Sequence, residues 1–175
     1  STGFKIGTVA AATAIGGVAA LVIKSALNGI DDEVSGTLER LNQNVEKTMP
    51  QVQSMAAAMR SIGYGGNDAK EAFVNLDTAI GNADTALSLM NLTADLAYKT
   101  HSSMSEAATD LARSMTGNGR VFTRFGIDMD TSITDPVARA NKALLELQDK
   151  IGGSAAAFAQ TPAGQMKVFE AQVNA

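Results

Sequence analysis

The chain has 175 residues; 45% are hydrophobic but only 5% aromatic, with no Trp, no Cys and eight Met. The absence of cysteine excludes a disulfide scaffold and any thiolate metal site, and a formal net charge of −4 argues against a dedicated nucleic-acid binder, which needs a basic patch. Much of the apolar content is Ala, which favours helix but buries little area, so the composition suits thin, closely packed helices.

In chain order, the first feature is an uncharged run from Ile6 to Ile23, bounded by Lys5 and Lys24. It reaches the lower length limit of a transmembrane helix. Its apolar members are Ile6, Val9, Ile15, Val18, Leu21, Val22 and Ile23, and Gly7, Thr8, Thr13, Gly16 and Gly17 dilute them. Ala12, Gly16 and Ala20 recur at every fourth position, and Gly3 and Gly7 form a GxxxG; such faces let helix backbones approach closely in lipid or in protein. Two readings stay open: a buried or oligomeric helix, and a membrane-inserting segment. A signal peptide fits less well, because the run continues into a patterned helix without a cleavage site.

Apolar residues then recur at Ile23, Leu27, Ile30, Val34, Leu38, Leu41, Val45, Val52, Met55, Met59 and Ile62, with Thr48 filling the one polar place. Spacings of three and four mark the seam of a coiled coil, with a stutter at Val34. Pro50 falls inside this seam and predicts a break, and Thr48 with Gln51 forms a possible capping box for a restart there. The seam fits packing between copies and packing within one chain equally well.

Gly63-Tyr64-Gly65-Gly66 predicts a turn, after which Asn67 or Asp68 caps a helix running to about Ile80. Gly81-Asn82 ends that helix, and another follows through Leu87, Met90, Leu92 and Leu96 to about Lys99. Ser103 and Glu106 form a capping box for a helix ending at Met115, with Gly117 as its C-terminal residue. Arg120 to Met129 reads as a short helical turn or irregular loop. Thr134-Asp135-Pro136 opens a helix that Gly152-Gly153 closes, and Thr161-Pro162 opens the last one. No strand alternation of useful length is present, so the fold class is all-α: an extended, coiled-coil-like set of Gly- and Pro-punctuated helices. Two regions are expected: an apolar helix continuing into the heptad helix over residues 1–62, and a helical region over 63–175. The start at Ser1 and the pattern running to Ala175 read as a piece of a longer chain.

Reactive chemistry is scarce. His101 is the sole histidine and sits in a polar turn, where it reads as a solvated loop residue. Asp128, Asp130 and Asp135 resemble a loose acidic loop, but the Gly and terminal Glu of a calcium loop are missing. Asp31-Asp32-Glu33 reads as a charged patch on a solvated face. Neither Gly63-Tyr64-Gly65-Gly66 nor Gly117-Asn118-Gly119-Arg120 carries the Lys-Ser/Thr of a phosphate-binding loop. The sequence therefore points to no enzyme, metal or cofactor.

One resemblance remains. The helix Glu106–Met115, the segment Gly117-Asn118-Gly119-Arg120-Val121-Phe122-Thr123-Arg124-Phe125-Gly126-Ile127, and then Gly152-Gly153-Ser154-Ala155 with Thr161-Pro162-Ala163-Gly164-Gln165 resemble the core region of phage tail tape-measure proteins. The positions that carry it are Gly117, Asn118, Gly126, Ile127, Gly152, Gly153, Thr161 and Gly164. The resemblance implies a virion structural protein in the lumen of a phage tail. Such a protein sets tail length during assembly and leaves ahead of the DNA at ejection, with the host cell envelope as its expected later location. It implies partners in tail-tube and tail-tip proteins, in the host membrane through residues 6–23, and in copies of itself. A trimer is expected, with a hexamer as the alternative, and Ala12, Gly16, Ala20 and the heptad form the packing seam. It implies no specific nucleic-acid site. The competing reading is a membrane-active, pore-forming or secreted helical protein.

Overall fold

The computed structural model describes residues 29–173. Ala12, Gly16, Ala20 and the apolar residues of Ile6–Ile23 lie outside the described residues. Among the described residues all regular structure is helical and there is no strand. The helices are α1 (Gly29–Arg40), α2 (Val45–Arg60), α3 (Gly66–Ile80), α4 (Ala83–Ser88), α5 (Met90–Thr100), α6 (Met104–Arg113), α7 (Arg120–Arg124), α8 (Pro136–Ile151), α9 (Ser154–Ala159) and α10 (Pro162–Val173), with a π-turn at Ser114–Asn118 between α6 and α7.

Helix α3 is the hub. It packs on α6 most extensively, and also on α1, α2, α4 and α5, while α5 in turn carries α6, α8 and α9. Small residues make this density possible: Ala69 and Ala72 on α3, Ala94 and Ala97 on α5, and Ala107 and Ala108 on α6 are all buried. Larger side chains, among them Phe73, Leu76, Leu92, Leu96, Leu111 and Phe122, fill the spaces between them. One hydrophobic core runs from Val34 to Ala155, so it joins residues on both sides of the expected boundary at 62/63.

The heptad residues face that shared core. Val34, Leu38, Val52, Met55 and Met59 are fully or almost fully buried within the chain, with Leu41, Val45 and Ile62 half-buried at its margin. The seam is therefore satisfied by intramolecular packing, and the helices form a compact bundle rather than an extended rod.

Four helix ends share one device. Asn42, Gly63, His101 and Gly126 take positive φ (56°, 97°, 55° and 74°). At each, the next residue's N–H reaches back five positions: Gln43 to Leu38, Tyr64 to Met59, Ser102 to Ala97 and Ile127 to Phe122, at 2.8–3.0 Å. This is the Schellman arrangement, which satisfies the last helical carbonyls.

Two helix ends correct the sequence reading. The break in the heptad falls at residues 41–44, with Asn42 left-handed and the Asn44 side chain accepting from the Lys47 N–H; Pro50 lies inside α2. Asparagine tolerates positive φ and is a strong N-cap, so the paired asparagines fix the break before the proline is reached. The carbonyl that Pro50 leaves without a donor belongs to Glu46, an exposed residue. Thr48 does not cap: its N–H donates to the Asn44 carbonyl within the helix. Likewise α6 does not end on Gly117. It passes into the π-turn, and Gly119 is the left-handed residue (φ 58°).

Candidate functional site

The segments that carry the resemblance act as junctions, each closed by a side chain. The largest junction is built on Asp95 of α5. Its Oδ2 accepts the Gly153 N–H at 3.0 Å and its Oδ1 accepts the Ala155 N–H at 2.9 Å. Gly153 has φ 84°, a conformation glycine adopts without strain, and this aims both amides at the carboxylate. Burial pushes the Asp95 carboxyl above its ordinary range, opposed by the two amides and by the charge of Lys99. Beside it, the Tyr98 and Phe158 rings stack at 4.9 Å between centroids, so α9 is held by a polar bond pair and an aromatic pair together.

The turn into α10 is as closely fitted. Thr161 Oγ1 accepts the Gly164 N–H at 3.1 Å, and a Cβ at Gly164 would overlap the Phe158 carbonyl group. Only glycine lets α10 fold back on α9. Helix α10 then reaches α2 and the turn after it, where Lys167 Nζ sits 3.7 Å from the centroid of the Tyr64 ring, a cation–π contact. Burial lowers the Lys167 ammonium from its ordinary value. Tyr64 donates its hydroxyl to the Ala94 carbonyl at 3.2 Å; burial, then the charges of Asp95 and Asp68, raise its phenol.

In the Gly117–Ile127 segment, Gly117 lies exposed in the π-turn and Asn118 Oδ1 accepts the Arg120 N–H at 3.0 Å. Ser114 Oγ accepts the Val121 N–H at 2.9 Å. Gly126 makes the Schellman turn that returns Ile127 to the core at 2% exposure. The eight motif positions thus fall into two groups, one at the α6–α7 turn and one at the α8–α9–α10 turns. Each group closes its own junction.

Two acidic features were misread from sequence. Asp31 is buried at 2% exposure, not solvated, and its Oδ1 accepts from Lys70 Nζ at 2.8 Å and from Gln53 Nε2 at 3.1 Å. Asp68 does not cap α3, which starts after Gly65 without a side-chain cap. It caps α6 instead, accepting the Met104 and Ser105 N–H groups at 2.8 and 3.0 Å. Alongside it the predicted Ser103–Glu106 capping box is formed. Both misreadings have one cause: local sequence shows a carboxylate's own helix but not the helix packed against it.

The remaining chemistry is sparse. His101 is exposed at the end of α5. In the acidic loop, Asp130 pairs with Lys142 at 2.7 Å, and its hydrogen bonds with Lys142 and Ser132 hold its carboxyl down to about 2. Among the described residues no group of three His, Cys, Asp or Glu is arranged around a metal position, and no helix is long and apolar enough to cross a membrane.

Comparison with known proteins finds no matching family model, no matching curated protein and no matching solved structure.

Proposed function

We propose that this chain is a helical structural module of a phage tail tape-measure protein, resident in the tail lumen and released at ejection. The observation that carries the reading is the order of two glycine-punctuated segments, Gly117–Ile127 and Gly152–Gln165, on either side of helix α8. Their junction chemistry supports it: motif glycines and Thr161 serve backbone turns, and a structural protein needs no catalytic group there. The compact bundle fits a docking region of such a protein better than its ruler portion. At about 1.5 Å per residue, 175 residues of unbroken helix would span roughly 260 Å, and the helix stops forbid such a rod.

Copies sharing the tube axis would form a trimer or a hexamer. Because the heptad is used internally, contacts between copies or with tube and tip proteins would draw on exposed apolar side chains. Met166, Phe169 and Val173 lie at helical spacing on α10 and are 63%, 64% and 64% exposed, and Leu145 on α8 is 53% exposed. Residues 6–23 are the segment proposed to meet the host membrane.

Quantitative mass spectrometry on gradient-purified particles tests this reading, counting the chain against the major tail-tube subunit. A few copies per tail, with peptides extending past both ends of this sequence, is the expected result. Absence from intact particles would overturn it. Leakage of liposomes by the isolated chain would then favour the pore-forming alternative.

A further inference from the structure

Three of the chain's six arginines, Arg113, Arg120 and Arg124, line a single cavity of about 100 Å³ at the junction of α5, α6 and α7. Thr100, Asn118 and Ser114 supply polar groups to the same walls, and Leu96 and Val121 supply apolar ones. Among the described residues these three arginines form no ion pair: the pairs present are Lys47–Asp84, Lys70–Asp31 and Lys142–Asp130. Asp110 also lines the cavity without pairing to them, so the lining carries a net charge of about +2 in a chain that is acidic overall. Holding like charges together costs free energy unless an anion offsets them.

The backbone explains how the three come together. Arg113 ends α6, Arg120 and Arg124 bracket α7, and the π-turn Ser114–Asn118 between them redirects the chain. Their spacings of seven and four would also place them on one face of a regular α-helix; with the π-turn between them they meet against α5, which adds Leu96 and Thr100 to the walls. π-turns are rare, and they recur where a chain builds a binding site. The Ser114–Val121 and Asn118–Arg120 hydrogen bonds fix this turn independently of any ligand.

We propose that this cavity binds one phosphate-class oxyanion, the head of a small phosphorylated ligand. Guanidinium groups present a planar fork that matches a phosphate's oxygens with two parallel hydrogen bonds, and the volume suits a single tetrahedral anion. A wider groove of about 530 Å³ shares Thr100, Asp110, Arg113 and Arg124 with the cavity and is further lined by Asn75, Ser102, Ser105 and Thr109, which suits a hydroxyl-bearing body. Glu71 and Glu106 also line that groove. Their carboxylates would repel the second and third phosphates of a polymer, which favours a small ligand over a nucleic acid.

The test is calorimetric titration of the 175-residue chain with inorganic phosphate and with glycerol 3-phosphate, alongside a 20-base-pair DNA duplex. Saturable 1:1 binding of both small anions is expected. R120A/R124A should weaken it about tenfold or more, R124K should weaken it despite keeping the charge, and K150A, outside the cavity, should leave it unchanged. In the unaltered protein, the Nε–Hε NMR signals of Arg113, Arg120 and Arg124 should shift with added phosphate while that of Arg139 stays fixed; this readout survives any folding defect in the variants. No saturable binding of the small anions, or equal affinity in R120A/R124A, would overturn the proposal. So would binding of the duplex alone through the same arginines, which would assign the site to a nucleic-acid backbone.

Discussion

Asp77 on α3 is fully buried, and its Oδ1 accepts from Gln43 Nε2 at 2.7 Å. Its Oδ2 and the Gln43 Oε1 are both buried without a hydrogen-bond partner. A proton on Asp77 removes a buried charge and gives the carboxyl a hydrogen to donate, and the pairing expected for it is with the Gln43 amide oxygen. Burial indeed raises the Asp77 carboxyl above its ordinary value, partly offset by the Gln43 hydrogen bond. The sign for stability follows. Between the unfolded value of about 3.9 and the raised folded value, the folded chain holds more protons than the unfolded one. Stability therefore rises as pH falls from neutral through the folded value, and Asp95 acts in the same direction. Asp130, held down to about 2, acts oppositely, its contribution being lost as pH falls below the unfolded value. D77N supplies a permanent N–H donor, so it should stabilise the fold at pH 7 by about 1–2 kcal/mol and flatten the rise toward acid pH. Denaturant unfolding at pH 5 and pH 7 checks this; lower stability with an unchanged pH slope would refute the protonated pairing.

At the scale of elements, helix starts and stops were largely legible because they are local chemistry. The Ser103–Glu106 box, Asp135-Pro136 at the start of α8 and the Gly63, Gly81 and Gly152-Gly153 stops all act where the sequence places them. Pro50 misled because a proline inside a helix is costly but tolerable when the residue whose carbonyl it orphans is exposed, whereas Asn42 and Asn44 jointly satisfy both helix ends. The carboxylates were illegible for a different reason. Asp31, Asp68 and Asp95 bond to groups 22 to 60 positions away along the chain, and no periodicity reports such partners. The three arginines of the α6–α7 cavity are spaced seven and four apart, a same-face pattern open to the sequence; what local sequence does not show is the wall that Leu96 and Thr100 of α5 supply. D95A removes the acceptor of two amides at once. It should cost about 2–3 kcal/mol and strip hydrogen-exchange protection from the Gly153 and Ala155 amides. Retained protection at those amides would show that α9 is held by the Tyr98–Phe158 stack instead.

At the scale of the whole fold, the sequence predicted helices without sheet, and the described residues bear this out; among them the extended arrangement it also suggested gives way to a core closed on itself. The reason is visible in α3. Its buried face carries Ala69, Ala72, Phe73 and Leu76, small enough to admit five neighbouring helices and large enough to fill the gaps between them. A heptad reports that a helix has one apolar stripe, but the identity of the partner is decided by whichever complementary surface is nearest. Here that surface lies in the same chain.

The Asp95 junction also bears on how long the folded form lasts. It joins residues 58 and 60 positions apart, whereas the helix-ending turns close over five. Closing so long a loop costs more chain entropy than closing a turn, so we expect this contact to form late, on the native side of the rate-limiting barrier. A bond made that late slows escape without hastening arrival. In stopped-flow mixing, D95A should raise the unfolding rate by most of its stability loss and leave refolding nearly unchanged; refolding slowed to match that loss would place the contact in the nucleus. The lifetime of the native state thus depends strongly on a carboxylate that does little to guide the chain there.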